Sequence, residues 1–118
     1  MDTTIGLSLL MGICAVLLLA LPAGADVSYG GGDGTSMDKA IVVNAPNEDE
    51  GVGAEYDWLA AKYGPRNYSW KMDLQSTADN AGKMYDILEV EFLKDAGGYK
   101  AGDKVTFFFD ITPFYGKF

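Results

Sequence analysis

The 118-residue chain contains no histidine and a single cysteine, Cys14. The commonest general base and the strongest side-chain nucleophile are therefore almost missing from its inventory. What remains is serine, lysine and carboxylate. Ser69 and Lys71 stand two apart in "YSWKM", and a strand would project both from one face. That is the spacing of a Ser–Lys nucleophile pair. Glu89 and Glu91 in "LEVEF" repeat it as paired carboxylates. Lys71 is expected opposite Glu89 across a hairpin, where an ion pair is the plainer use of both. No catalytic residue is assigned, and the chain reads as a non-enzyme. A small hydrolase with a Ser or carboxylate on an open sheet face is the alternative.

A second candidate is "YGGGDGTSMDKAIVV", Tyr29 to Val43. A P-loop needs Gly-Lys-Ser/Thr opening a helix after a strand, and neither that lysine nor that helix is present. A dinucleotide fingerprint needs a preceding strand and a long following helix. The calcium repeat GGxGxD fits at Gly31 to Gly34, but Ser36 stands at its ligand position and the motif occurs once, where such sites need stacked copies. Zinc lacks its usual ligands. No metal or cofactor site is assigned. Turn chemistry accounts for the stretch: Asp33 and Ser36 can bond local backbone, Gly34 can take φ > 0, and Thr35-x-x-Asp38 can cap one helical turn. Residues 26–38 then form a flexible leader that aims a strand into a sheet.

Ahead of it, Thr3 to Ala25 is uncharged and nearly all apolar, ending in Pro22 and Ala23-Gly24-Ala25. This is the small-x-small pattern of a signal-peptidase site, so residues 1–25 read as a signal peptide cleaved after Ala25. The region before the apolar run carries Asp2 instead of the expected basic residues. A retained membrane anchor over residues 3–25 is the alternative, because about twenty apolar residues span a bilayer. Cleavage removes Cys14, so an exported domain must be stable without a disulfide. The net charge of −8 and the lack of a basic stripe argue against nucleic acid and anionic membrane surfaces.

The elements follow from periodicity. Lys39 to Ala45 is a short β-branched run, a first strand. Asn47 caps a helix with Glu48, Asp49 and Glu50 in its first turn, and Gly64-Pro65 stops it. Val52, Tyr56, Leu59, Ala60 and Tyr63 form its apolar face. Gly51 and Gly53 weaken it by about 1 kcal/mol each relative to Ala. They are expected to allow close packing. Tyr68, Trp70, Met72 and Leu74 alternate with polar residues in a second strand. "TADNAG" is a turn. Leu88, Val90 and Phe92 face inward on a third strand, and Val105, Phe107, Phe109 and Ile111 on a fourth. Short turns make the last three an antiparallel meander. The fold class is α+β, ordered β-α-β-β-β, with one helix on an antiparallel sheet and a single domain over residues 39–118.

That order resembles the cystatin-like arrangement. In cystatins a Gln-x-Val-x-Gly hairpin inhibits cysteine proteases. Here the hairpin is "LQSTADNAG", with Thr77 and Asp79 in place of Val and Gly, so inhibition is not carried over. "GDGTSMDKAIVV", "AEYDWL" and "FFFDITPFYGKF" together resemble a group of small exported bacterial proteins with a Gly-Asp-Gly-Ser/Thr start and a Phe-Asp-Ile-x-x-Phe-aromatic-Gly-Lys end. The resemblance implies export and fold rather than an activity.

A surface is the better functional candidate. Phe108 is expected on the outer sheet face with Tyr85, Ile87 and Leu93, followed by Phe114, Tyr115 and Phe118 at the C-terminus. Apolar patches of this kind mark partner sites. Tyr85, Ile87, Phe108, Phe114 and Tyr115 form the candidate partner surface. The expected function is an exported, non-catalytic binding or accessory module for a protein or an apolar small molecule, with a second copy of the chain as one possible cover. A secreted enzyme inhibitor is a further alternative.

Overall fold

An apolar helix stripe and an apolar sheet face close on each other in two layers. The computed structural model describes residues 26–118, and the expected signal segment lies outside them. Its elements are β1 (Ser28–Gly31), a 3-10 turn (Met37–Lys39), β2 (Ile41–Asn44), α1 (Glu48–Tyr63), β3 (Trp70–Asn80), β4 (Lys83–Phe92) and β5 (Lys104–Asp110). The five strands form one sheet in the order β1-β2-β5-β4-β3. The fold is α+β, with its one α-helix packed on this sheet. No helix of the described residues is long and apolar enough to cross a membrane.

The sheet is mixed, not antiparallel as expected. β3, β4 and β5 do form the expected meander, but β2 pairs with β5 in parallel through Ile41↔Phe109 and Val42↔Asp110. The reason is the crossover. α1 returns the chain to the end of the sheet where β2 began, so β2, β3 and β5 all run the same way.

The leader also differs from its expected irregularity. β1 pairs antiparallel with β2 from Ser28↔Asn44 to Gly31↔Ile41. "SYGG" carries little side-chain signal because main-chain pairing does most of the holding. Tyr29 adds an anchor: its ring packs against the core and its hydroxyl donates to the Ala54 carbonyl at 2.8 Å. The turn chemistry beyond it is as expected, with Asp33 Oδ1 accepting from Thr35 N at 3.0 Å and Gly34 at φ 83°. The 3-10 cap is Ser36 rather than Thr35, accepting from Lys39 N.

α1 begins as its sequence requires. Asn47 accepts from Glu50 N at 3.0 Å, three acidic residues fill the first turn, and Gly64 ends the helix. Its most buried residues are Gly51, Ala54, Glu55 and Leu59, with Val52, Tyr56, Trp58 and Tyr63 half-buried beside them. Trp58 seats its ring edge-on to Phe109 and Phe107, at centroid distances of 5.7 and 6.0 Å. Tyr63 meets Phe92 at 5.1 Å. These contacts put α1 on the sheet face that carries Leu88, Val90, Phe107 and Phe109, all fully buried. The core aromatics supply much of the burial available to so small a domain.

β3 departs from its alternating sequence. A bulge at Asp73 separates Met72↔Val90 from Leu74↔Glu89, so the pleat changes phase. Trp70 and Met72 face the helix, whereas Leu74 emerges on the opposite face, 54% exposed. The hairpin turn is also tighter than expected. β3 continues to Asn80, paired with Lys83, and only Ala81 and Gly82 turn, at φ 54° and 82°.

Candidate functional site

Two regions present chemistry, one on each face of the sheet. On the outer face, cross-strand partners place Ile87 beside Phe108 and Tyr85 beside Asp110. Leu74 is the diagonal neighbour of Ile87, through Leu74↔Glu89 and Ser76↔Ile87. Ile87 and Phe108 are half-buried. Tyr85 is buried, because the 3-10 turn folds over this end of the face. There Met37, Val42, Lys83, Tyr85 and Asp110 line a polar cleft of about 260 Å³, and Asn80 Nδ2 donates to Met37 Sδ at 3.1 Å. Asp110, nearly buried, accepts from Thr112 N at 3.0 Å.

The other two residues of the expected surface are elsewhere. Ile111 faces the helix layer, and Phe114 follows it into the core, where it is 1% exposed. Its ring lies directly against Gly51 of α1. Tyr115 is half exposed, at the rim of a cleft on the helix side of the molecule. The chain turn at Ile111–Tyr115, closed by Tyr115 N donating to the Ile111 carbonyl, carries both rings away from Phe108. Tyr85, Ile87 and Phe108 therefore share a face, and Phe114 and Tyr115 do not belong to it.

The Ser–Lys pair is not assembled. Ser69 is buried beside Gly64, before β3 begins. Lys71 Nζ lies 3.0 Å from Asp73 Oδ1 and 3.5 Å from Glu91 Oε1. Asp73, then Glu91, raise the Lys71 pKa, which favours a charged ammonium over a base. The register pairs Lys71 with Glu91 rather than the expected Glu89, because the chain turns only at Ala81-Gly82, later than expected, and the bulge at Asp73 takes back just one residue of that shift.

The second region is on the helix side. Glu48 and Val52 of α1, Gln75 and Thr77 of β3, Asp86 of β4, and Ile111, Phe114 and Tyr115 line a cleft of about 200 Å³. Asp86 is 4% exposed and accepts from Thr77 Oγ1 at 2.9 Å. Behind it Glu55 has no exposed surface, and no protein donor reaches either of its oxygens. Burial first, and then the adjoining Asp86 carboxyl, push the Glu55 pKa up to about 10. Two carboxylates are both acceptors, so their contact becomes a hydrogen bond only with one proton between them. Burial and the adjoining Asp86 carboxyl thus favour the protonated form of Glu55, the form that can donate to Asp86.

No protein family, curated protein or solved structure matches this chain. Among the described residues, no group of three or more acidic, His or Cys side chains is placed to hold a metal ion.

The Glu55–Asp86 pair was missed in the sequence, although a signal for it exists. Glu55 falls at i+3 from Val52 and four before Leu59, inside the buried stripe. Asp86 is in phase with Leu88, Val90 and Phe92, so it must point inward. A charged residue in an apolar phase is the mark of a buried polar site.

Proposed function

We propose that the protein is an exported, non-catalytic binding module whose outer sheet face docks a protein partner. The observation that supports this best is the row of exposed Leu74 and half-buried Ile87 and Phe108, three apolar side chains on a face that α1 does not reach. They lie on open sheet rather than in a cavity, which suits a protein surface better than an enclosed small molecule. β3 stands at the edge of the sheet next to this row, and beyond Trp70, whose carbonyl accepts from Asn67 N, no described residue pairs with the outer side of its main chain. An extended partner segment can add there as a sixth strand while its side chains cover Leu74. Export rests on the uncharged run Thr3 to Ala25 and its Ala-Gly-Ala end.

The test is site-specific crosslinking. A photoreactive phenylalanine analogue replaces Phe108 in one variant and Asp49, on the exposed start of α1, in another. In cells that make the protein, position 108 should yield a discrete crosslinked partner and position 49 should not. Equal labelling from both positions, or none from 108, overturns the assignment.

A further inference from the structure

The polar cleft under the 3-10 turn has a chemistry of its own. Val42, Asp110 and Tyr85 lie side by side across β2, β5 and β4. The turn folds over this row and is pinned to the β3–β4 hairpin, where Asn80 donates to Met37 Sδ. Two buried residues present open polar atoms to the cleft: Asp110 is 5% exposed and Tyr85 8%. Asp110 Oδ1 accepts from Thr112 N at 3.0 Å, but Oδ2 has only Lys83 Nζ at 3.9 Å, beyond hydrogen-bond reach. The Tyr85 hydroxyl, unlike those of Tyr29 and Tyr56, bonds no described residue. Polar groups on buried residues ordinarily find partners, so two open ones in a single cleft call for a ligand. Lys83 is well exposed, which lets its ammonium shift toward one. Met37, Ala40 and Val42 add an apolar wall, and the exposed Asp38 completes the lining with Gly31.

We propose that this cleft binds a free α-amino acid with a short apolar side chain. The ligand's ammonium sits on Asp110 Oδ2, its carboxylate meets Lys83 Nζ and the Tyr85 hydroxyl, and its side chain lies against Met37, Ala40 and Val42. The loose lysine–aspartate pair decides the class. Its two charges stand side by side without bonding each other, and an α-amino acid carries the complementary pair on one carbon. Binding exchanges one long contact for two charge-assisted hydrogen bonds. An amine alone would bring a second cation beside Lys83 and leave that lysine unmatched. A carboxylate alone would face Asp38 and Asp110. The volume of about 260 Å³ lies below the range of drug-sized ligands and suits a small molecule of this kind. Neither end of a peptide carries both charges on one residue, so a docked protein segment does not supply this group. The site is therefore independent of docking on the Leu74 row.

Amide chemical shifts of the full chain test this, titrated at neutral pH with L-valine and separately with its two halves, isobutylammonium chloride and sodium isovalerate. L-Valine should give saturable shifts centred on Asp38, Lys83, Tyr85 and Asp110, and neither half should do so over the same concentrations. Lys83→Met keeps the apolar stem and removes the cation, so it should weaken L-valine by about tenfold, the scale of one charge-assisted hydrogen bond. The exposure of Lys83 makes this variant safe for the fold. Lys100→Met, at an exposed lysine outside the cleft, should leave the affinity unchanged. So should Phe108→Ala, which alters the docking row and not the cleft, and this separates failure of the one site from failure of the other. Equal saturation by isobutylammonium would reduce the cleft to a plain cation site and overturn the proposal. So would the absence of saturable L-valine shifts at Tyr85 and Asp110, or an affinity indifferent to Lys83→Met.

Discussion

The ring of Phe114 lies directly against the backbone of Gly51, filling the space where any Cβ at position 51 would project. A glycine early in α1 looks like a defect, costing about 1 kcal/mol against alanine. Here it is the socket that lets the C-terminal segment pack under the helix. Gly53, two residues on, faces open space. The two glycines should therefore respond oppositely to one substitution. Gly53→Ala should stabilise by up to about 1 kcal/mol. Gly51→Ala should destabilise by about 1–3 kcal/mol, the range for overpacking a filled site. Urea melts of both variants check this, and stabilisation by Gly51→Ala would show that Phe114 moves aside freely.

A second expectation concerns pH. Glu55 has an ordinary value of 4.5 when exposed and about 10 in the folded protein. Between those values the folded state holds a proton that the unfolded state has released. Stability linked to Glu55 is thus complete below about pH 4.5 and falls as pH rises toward 10, at up to about 1.4 kcal/mol per unit. Glu55→Gln keeps a donor toward Asp86 and cannot ionise. Its stability should change less from pH 6 to pH 9, and it should overtake the wild type at the alkaline end. Parallel pH profiles for the two proteins would contradict the buried-acid assignment.

A third concerns the alternating phenylalanines of β5. Phe107 and Phe109 are fully buried under α1, and Phe108 is half-buried on the other face. Phe107→Ala or Phe109→Ala should each cost about 3–5 kcal/mol, enough to unfold much of a small domain. Phe108→Ala should cost clearly less. Equal losses at all three positions in denaturant titrations would mean that the outer face is covered as firmly as the inner one.

The fourth concerns the N-terminal strand. Tyr29→Phe removes the hydroxyl that serves the Ala54 carbonyl and should cost about 1 kcal/mol. Deleting residues 26–31 removes all of β1 and its pairing with β2, and should lower the melting temperature by more than the single change does. An unchanged melting temperature after the deletion would return this segment to the status of a loose leader.

These cases show where the sequence was readable. Strands with a clean apolar phase, such as Leu88-Val90-Phe92 and Phe107-Phe109, were found with the correct inward face. The helix was bounded correctly by Asn47 and Gly64, since capping is local chemistry. Features that depend on main-chain geometry left no comparable trace. β1 hides among glycines because its pairing is backbone to backbone. The bulge at Asp73 turns Leu74 outward without changing the alternating pattern that had placed it with Trp70. The candidate surface was half legible: Tyr85, Ile87 and Phe108 share a face because strand parity is local. Phe114 and Tyr115 left it because a turn after Ile111 redirects the chain, and parity ends where the strand does. Glu55 escaped notice because periodicity counts a carboxylate as polar, whatever its phase.

The parallel pairing of β2 with β5 also governs the order of assembly. Ile41 has no lateral neighbour on that side until Phe109 arrives, and the strand that joins the two halves of the sheet is the last to be made. During synthesis the early strands and α1 lack their seat, so the β1–β2 ribbon gains little before β5 has been made. Until then the segment that precedes β5 remains open to threading. A translocation channel that accepts only unfolded polypeptide would find it in a suitable state, and the sheet would lock only after the central strand had passed.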